Sequence, residues 1–234
     1  MTYDLRGILE VTNGGSTLVG DTNDAYEYAY RVSENNRIYG TQNHGGETLL
    51  SFTLYVNGVP VSLGNNQSAS GSNIRVVQTT RLGDGDFPNL ASITRQYHFT
   101  SQGLDLEMTT TWNTAIHLAA AYQAMFSVVD AANVSTVGFV DGFGAPFSLT
   151  TDDGSIKGNT TSLKAYEWNT ANSRVVSLEI VSQDGFMNVY QMFIQDSSQD
   201  NKIYFLRQET GYQVGMGETW HVTNRYRVYN GAHP

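Results

Sequence analysis

The chain has 234 residues, a formal net charge of −9, a pI near 4.9 and no cysteine. This length and a hydrophobic content of 40% exclude a disordered chain, and the lack of cysteine excludes disulfide frameworks, thiolate nucleophiles and cysteine-bound zinc. Nucleic acid is not expected as a partner, because an acidic surface repels phosphate backbones.

The sequence gives no sign of a membrane segment or of a domain boundary. No apolar run approaches the roughly 18 residues that a spanning helix requires, so membrane insertion is not expected. The first seven residues hold no basic region followed by an apolar one, and a signal peptide is not predicted. Because no linker and no fixed-period repeat are present, residues 1–234 are predicted to form a single domain.

In chain order, the first clear signals are strands with a period of two. Tyr26, Tyr28 and Tyr30 alternate with other residues, which predicts a strand whose tyrosine face is more often core than binding surface. The segment 49–61 is rich in β-forming residues and is interrupted by Asn57-Gly58, a pair that predicts a tight hairpin. Residues 74–80 form the next predicted strand.

The most sharply patterned unit spans residues 92–112. With Gln102-Gly103 as a two-residue turn, Phe99 is predicted to pair with Leu106, and Tyr97 with Met108. This register places a mostly apolar set of residues on one face and a polar set on the other. The apolar set, which includes Arg95, is predicted to face the core.

The remaining segments extend the same pattern. Strands are predicted at 175–181, 188–194, 203–208 and 219–229. The alanine-rich segment 113–129 fits either a helix or a strand, and a strand is preferred because its neighbours are strands. As a strand it would show Ile116, Leu118, Tyr122 and Phe126 on one face, and His117, Ala119, Ala121, Gln123 and Met125 on the other. The predicted fold class is all-β: an antiparallel β-sandwich of two packed sheets, of jelly-roll or supersandwich type, with little helix.

Two places carry side chains suited to binding or catalysis. The string Asn43-His44-Gly45-Gly46-Glu47 offers hydrogen-bonding groups beside two glycines that let a ligand approach the backbone. Arg31 and Tyr39 lie close to it in sequence. His117 is the second candidate, because its predicted face carries small alanines that leave a shallow floor. At both places the alternative is purely structural: a turn in the first case and close sheet packing in the second.

Metal sites and cofactors are not predicted. Asp84-Gly85-Asp86 and Asp152-Asp153-Gly154 resemble fragments of calcium loops, but neither has the twelve-residue pattern, and turns are the preferred interpretation. His221, Arg225 and Arg227 share one strand face and suit either an acidic sugar or cross-strand ion pairs.

Two stretches resemble a known group of proteins. They are 75–125, with Arg75-Val-Val-Gln-Thr-Thr-Arg81 and Thr109-Thr-Thr-Trp112, and 217–229, Gly217-Glu-Thr-Trp-His-Val-Thr-Asn-Arg-Tyr-Arg-Val-Tyr229. Both are similar to C-terminal β-sandwich regions of phage tail-fibre or tailspike proteins, and distantly to the supersandwich of galactose mutarotases. The tail-fibre resemblance implies a virion or extracellular protein that meets cell-surface polysaccharide, commonly as a homotrimer. The mutarotase resemblance carries no catalytic residue over.

Three functional hypotheses follow. The first is a carbohydrate-recognition domain of a phage tail protein, with Arg31, Tyr39, Asn43, His44, Glu47 and His117 as its candidate site. The second is a polysaccharide lyase or glycoside hydrolase, for which Tyr30, His44, His117, Arg31 and Arg95 supply the side chains. The third is a structural domain that trimerises a fibre.

Overall fold

The computed structural model describes most of the chain. The described residues are 11–13, 16–19, 27–40, 44–64, 66–101, 103–129, 136–139, 153–160, 162–169, 174–184, 191–197, 200–208 and 211–231. They contain strands and turns without a helix, and so no helix in this part of the chain could cross a membrane. The predictions for Asn43, Tyr26 and Asp152 lie outside the described residues.

The strands are eighteen in number within the described ranges. In chain order they are β1 (Val11–Asn13), β2 (Ser16–Val19), β3 (Glu27–Val32), β4 (Ile38–Gly40), β5 (Glu47–Val56), β6 (Val59–Val61), β7 (Ile74–Leu82), β8 (Ala91–Thr100), β9 (Gly103–Trp112), β10 (Ile116–Val129), β11 (Thr136–Phe139), β12 (Asp153–Thr160), β13 (Lys164–Asn169), β14 (Arg174–Asp184), β15 (Gln191–Ser197), β16 (Asp200–Gln208), β17 (Tyr212–Val214) and β18 (Thr219–Asn230).

These strands form two antiparallel sheets. Sheet A has the order β1-β2-β10-β16-β15-β12, with β3 and β17 also paired to β10, and β4 paired to β3. Sheet B has the order β11-β13-β14-β18-β9-β8-β7-β5-β6. The long strand β10 organises sheet A because β3 lies along one of its sides and β16 along the other.

The core lies between the sheets and is rich in aromatic rings. Tyr30 of sheet A packs edge-on against Trp112 of sheet B with ring centroids 4.9 Å apart, and Trp112 meets Trp220 at 5.2 Å. Phe126 and Tyr226 form a second contact across the sheets at 5.0 Å. Such edge-to-face pairs add to the stabilisation from burial alone. The predicted β-sandwich is confirmed, and Tyr28 and Tyr30 belong to its core.

The alanine-rich segment is a strand, as predicted, but its faces differ from the prediction. Register shifts in β10 between Leu118 and Ala120, and between Tyr122 and Ala124, break the strict alternation. After the first shift Tyr122 lies on the same face as His117, away from the core. Gln123 is instead buried and donates to the Tyr30 hydroxyl at 3.4 Å. Bulges of this kind insert one residue and exchange the faces that follow.

The Asn57-Gly58 hairpin is confirmed. Val56 pairs with Val59, and the two residues between them have φ values of +51° and +83°. Positive φ at both central positions is the hallmark of the turn that matches the twist of a hairpin.

The hairpin of β8 and β9 forms with a register two residues away from the predicted one. Thr100 pairs with Gly103, so Tyr97 faces Leu106 and Phe99 faces Leu104. An even shift keeps every side chain on its predicted face, and Tyr97, Leu106 and Met108 are buried. Gly103 belongs to β9 rather than to the turn. It lies so close to β18 that a Cβ there would collide with the carbonyl oxygen of Tyr226, which explains the glycine at this position.

Candidate functional site

The glycine pair predicted to open a binding loop carries the chain from sheet A to sheet B. Gly45 and Gly46, between β4 and β5, have φ values of +75° and +79°, a conformation that favours glycine. A Cβ on Gly46 would lie 2.8 Å from the Tyr39 ring. His44 lies in the same crossover and is partly exposed. The glycines therefore have a structural role in this crossover.

Tyr39 and Glu47 flank the crossover and face inward. The Tyr39 ring is buried, and its hydroxyl accepts a hydrogen bond from Asn35 Nδ2 at 2.7 Å. Glu47 is 15% exposed, and its Oε1 accepts hydrogen bonds from Thr80 Oγ1 and from the Arg95 guanidinium. Tyr39 and Glu47 thus present little of their polar surface to solvent.

Arg95 is the centre of a polar cluster inside the sandwich. Besides Glu47, it donates to Gln78 Oε1 at 3.1 Å, and its guanidinium lies 4.6 Å from the centre of the Tyr28 ring. Tyr97 donates to the same Gln78 oxygen at 3.1 Å. Burial raises the pKa of the Tyr28 phenol well above its ordinary value, and Arg95 only partly offsets this. The sequence placed Arg95 on the core face but did not reveal Glu47 as its partner.

Arg31 and His117 lie on the outer face of sheet A. Each lies between two core residues of its strand, and successive side chains of a strand point to opposite faces. The side chains of Arg31 and His117 therefore point away from the other sheet. Arg31 donates to Asn36 Oδ1 from Nη2 at 2.6 Å and from Nε at 3.1 Å. His117 forms a hydrogen bond with Glu34, its Nδ1 lying 2.9 Å from Glu34 Oε1.

The Glu34 carboxylate holds His117 at two points. Its Oε1 also accepts the backbone N–H of His117 at 2.8 Å. Burial would raise the pKa of Glu34, but the hydrogen bonds from the ring and backbone of His117 outweigh it and lower that pKa. Because an ionised carboxylate only accepts hydrogen bonds, Nδ1 of His117 carries the proton of this hydrogen bond. The second ring nitrogen, Nε2, takes no part in the hydrogen bond to Glu34.

The same outer face carries a cluster of apolar side chains separate from the core. We call it the aromatic patch, and its members are Ala120, Tyr122, Phe193, Tyr204 and Leu206. The rings of Phe193 and Tyr204 are stacked with centroids 4.8 Å apart and planes at 15°. Tyr122 meets Tyr204 edge-on at 5.7 Å. Tyr122 and Tyr204 are each partly exposed.

Polar groups border the aromatic patch. The Tyr204 hydroxyl donates to Gln195 Oε1 at 2.8 Å, and Lys202 Nζ lies 5.8 Å from the centre of the Tyr204 ring. Arg31 pairs with Ala120 of the patch across β3 and β10. The structure therefore places Arg31 and His117 on the face of the patch, and Tyr39, His44 and Glu47 at the crossover. The sequence pattern did not single out Phe193 and Tyr204, although both lie in predicted strands.

The side chains proposed for a lyase lie at separate places. Tyr30 and Arg95 are buried between the sheets, whereas His117 and Arg31 lie on the outer face of sheet A. His44 belongs to the crossover.

The remaining charged candidates form pairs on the surface. Arg225 and Arg227 both contact Asp105, Arg225 also reaches Glu179, and His221 Nδ1 lies 2.9 Å from Thr109 Oγ1. These contacts match the cross-strand interpretation of that face. Asp84, in the loop between β7 and β8, forms an ion pair with Arg37, in the turn between β3 and β4. In the described part of the chain no three metal-ligating side chains come together.

Comparison with solved structures places the fold in a known class at low sequence identity. An α-galactosidase from Lactobacillus brevis superposes with a TM-score of 0.56 at 10% identity, over 95% of this chain and 31% of that one. A family 36 α-galactosidase from Geobacillus stearothermophilus, in complex with stachyose, gives 0.54 at 8%, over 94% and 33%. The chain therefore spans about a third of the length of these galactosidases.

A third structure matches over nearly its whole length. It is an aldose 1-epimerase-like protein from Escherichia coli K12, with a TM-score of 0.52 at 11% identity, over 92% of this chain and 89% of that one. No protein-family model matches the chain, and no curated protein matches it in sequence. The chain thus has a β-sandwich of the kind found in mutarotase-like epimerases and in the galactosidases, as the distant mutarotase resemblance implied.

Proposed function

We propose that this chain is a carbohydrate-recognition domain whose binding site is the outer face of sheet A, around the aromatic patch. The observation that carries the proposal is the partly exposed ring pair Tyr122 and Tyr204, supported from the side by the stacked ring of Phe193. Aromatic rings supply rigid apolar area that matches the C–H faces of pyranose rings, with a polar tip for hydrogen bonding.

Polar groups at the border of the patch suit the hydroxyl groups of a sugar. Gln195 is fixed by Tyr204, and Arg31 is fixed by Asn36, so both are oriented before a ligand arrives. Preorganised side chains lose less entropy on binding. Lys202 adds a positive charge beside Tyr204, which would also accommodate a mildly acidic glycan.

The structural relatives support a sugar as the ligand. Among them are α-galactosidases from Geobacillus stearothermophilus in complex with stachyose and with raffinose, and an epimerase-like protein. Because the shared sandwich covers only about a third of the galactosidases, their activity is not transferred to this chain. We transfer only the class of ligand, a polysaccharide or oligosaccharide.

We further propose that the domain belongs to a phage tail fibre or tailspike and acts at the cell surface, outside the host. The support is the similarity of stretches 75–125 and 217–229 to such proteins, and a chain with only three lysines. The sequence also predicts glycan contacts in a second region, at Tyr39, Asn43, His44 and Glu47. A homotrimer is the assembly that the tail-fibre resemblance implies.

Removal of one ring of the patch is expected to abolish most of the glycan affinity. We expect Tyr204→Ala to weaken binding at least about tenfold, because a central aromatic anchor contributes about 2 kcal/mol or more. The matched control is Tyr55→Ala, which removes a partly exposed tyrosine from the outer face of sheet B. The measurement is calorimetric titration with the best ligand from a panel of bacterial and algal polysaccharides.

A substitution in the crossover distinguishes the two candidate regions. We expect His44→Ala to leave affinity for the same glycan within about twofold, the range typical of surface changes away from a site. If His44→Ala abolished binding while Tyr204→Ala retained it, the site would be at the crossover and the proposal for sheet A would be wrong.

The pair Glu34–His117 supports a second candidate function, cleavage of the bound polysaccharide. A carboxylate that holds Nδ1 of a histidine leaves Nε2 able to take a proton, which is the arrangement of a general base. If the domain is an enzyme, His117→Ala should lower turnover by a factor of about 10² or more. Ultraviolet absorbance would detect the unsaturated product of a lyase, and new reducing ends would detect hydrolysis. If neither product forms with any polysaccharide of the panel, the cleavage hypothesis is wrong and carbohydrate recognition remains the proposed function.

A further inference from the structure

Strand β10 contains one extra residue beside the aromatic patch. Gln123 lies between Tyr122 and Ala124, which pair with adjacent residues of β16, so β16 has no residue opposite Gln123. The pairing with β3 shifts over the same stretch: β10 has two residues between Tyr122 and Met125, where β3 has one. Both neighbouring strands therefore show the same β-bulge, with Gln123 as the extra residue.

This bulge lies beneath the contact between the two partly exposed rings of the patch. Tyr122 precedes the extra residue, whereas Tyr204 pairs with Met125, which follows it. The edge-on contact of Tyr122 with Tyr204, at 5.7 Å, therefore spans the bulge. Because a bulge bends its strand and re-aims the neighbouring side chains, its geometry bears directly on how the two rings meet.

A buried polar side chain of the opposite sheet contacts the bulge. Asn224 of β18 is completely buried on the inner face of its strand, where Val222 and Tyr226 are its neighbours on that face. Its Nδ2 donates to the backbone oxygen of Gln123 at 3.4 Å. The Gln123 side chain is itself buried and donates to the Tyr30 hydroxyl at 3.4 Å. The extra residue is thus held through both its backbone and its side chain.

Burial explains why these two residues belong together. A bulge disrupts the hydrogen-bond ladder locally, and its buried backbone groups then need other partners. A buried amide side chain is also costly unless it is hydrogen-bonded. Asn224 and Gln123 meet both requirements with one contact across the core. An apolar side chain at position 224 would pack equally well between the sheets but could not donate to the bulge.

We propose that Asn224 and Gln123 are positioning residues for the sugar site: through the bulge they hold the Tyr122 ring in place against Tyr204. The inference rests on the proposed carbohydrate recognition at the aromatic patch. Both side chains point into the core, so neither touches the ligand. Glycan affinity then depends on a residue of sheet B, although the sugar binds on the outer face of sheet A.

Calorimetric titration of Asn224→Leu with the best glycan of the panel tests the proposal, because leucine has a similar size but lacks the Nδ2 donor. Substitutions that act through packed neighbours change binding by about two- to thirtyfold. We expect the affinity to fall at least about fivefold. The matched control is Val222→Ala, a truncation on the same inner face of β18. It should destabilise the fold but change the affinity less than about twofold.

NMR of the free protein gives a second measurement that loss of stability alone does not change. A nuclear Overhauser effect between the rings of Tyr122 and Tyr204 is expected in the wild type and in Val222→Ala, and it should weaken in Asn224→Leu. Deletion of Gln123 tests the bulge from β10 itself. It removes the extra residue while Tyr122 keeps its face, and it should weaken both the ring contact and glycan binding.

The outcomes separate this inference from the proposed function. If Tyr204→Ala weakens binding while Asn224→Leu and the deletion of Gln123 bind as the wild type does, the site is correct and the positioning role is wrong. Equal losses of affinity in Asn224→Leu and Val222→Ala would also contradict the positioning role. If Tyr204→Ala binds as well as the wild type, the proposed site is wrong and this inference fails with it. Far-ultraviolet circular dichroism shows that each variant is folded before its binding is interpreted.

Discussion

Leu106→Ala is expected to lower the free energy of unfolding by about 2–5 kcal/mol. Leu106 is 3% exposed, it faces Tyr97 across the β8–β9 hairpin, and it belongs to the core between the sheets. Truncation removes apolar contacts and leaves a cavity that neighbouring side chains on two rigid sheets fill only in part. Urea denaturation followed by tryptophan fluorescence measures the change.

Glu107→Ala is the matched control for this truncation. Glu107 is the next residue on β9, and its side chain lies on the exposed outer face of sheet B, where it accepts a long hydrogen bond of 3.4 Å from Gln96 Nε2. Its removal should cost less than about 1 kcal/mol. Equal losses from Leu106→Ala and Glu107→Ala would show that the two faces of the hairpin have been assigned the wrong way round.

Arg95→Met is expected to destabilise the fold by about 3–5 kcal/mol, because it leaves the carboxylate of Glu47 in the interior without its cation. Arg95 is almost completely buried, and Glu47 is mostly so. The same change also removes the donor to Gln78 and the cation above the Tyr28 ring. Urea midpoints of the variant and the wild type give the loss.

A second variant separates the ion pair from simple packing. In the double variant Glu47→Gln/Arg95→Met no charge remains, so it should be more stable than Arg95→Met alone. If the two substitutions were instead additive, with the double variant less stable by the sum of both losses, Glu47 and Arg95 would not act as a pair. The result would then contradict the proposed role of the cluster.

Local patterns were enough to predict the architecture. Alternation along 92–112 and 219–229 identifies the strands and their inner faces, and Asn57-Gly58 specifies its turn through the need for positive φ. The same alternation could not give the register of the β8–β9 hairpin. An even shift leaves both faces unchanged, and the close approach of β18 to Gly103 is a contact distant in sequence.

The candidate site was less predictable because it depends on pairing between distant strands. The sequence singled out His117, but the bulges in β10 that bring Tyr122 onto its face have no local sequence signature. Phe193 and Tyr204 become a stacked pair only through the register of β15 with β16. The string around His44 drew attention through its two glycines, whose positive φ serves the passage between sheets.

Methionine methyl NMR during titration with the best-binding glycan tests most directly whether the sugar binds at the aromatic patch. Met125 pairs with Tyr204 across β10 and β16, so its methyl group reports on the patch, whereas Met108 lies in the core and Met216 in the exposed turn before β18. We predict a saturable shift of the Met125 signal, with those of Met108 and Met216 unchanged. A glycan that reaches saturation without moving the Met125 signal would contradict binding on this face of sheet A.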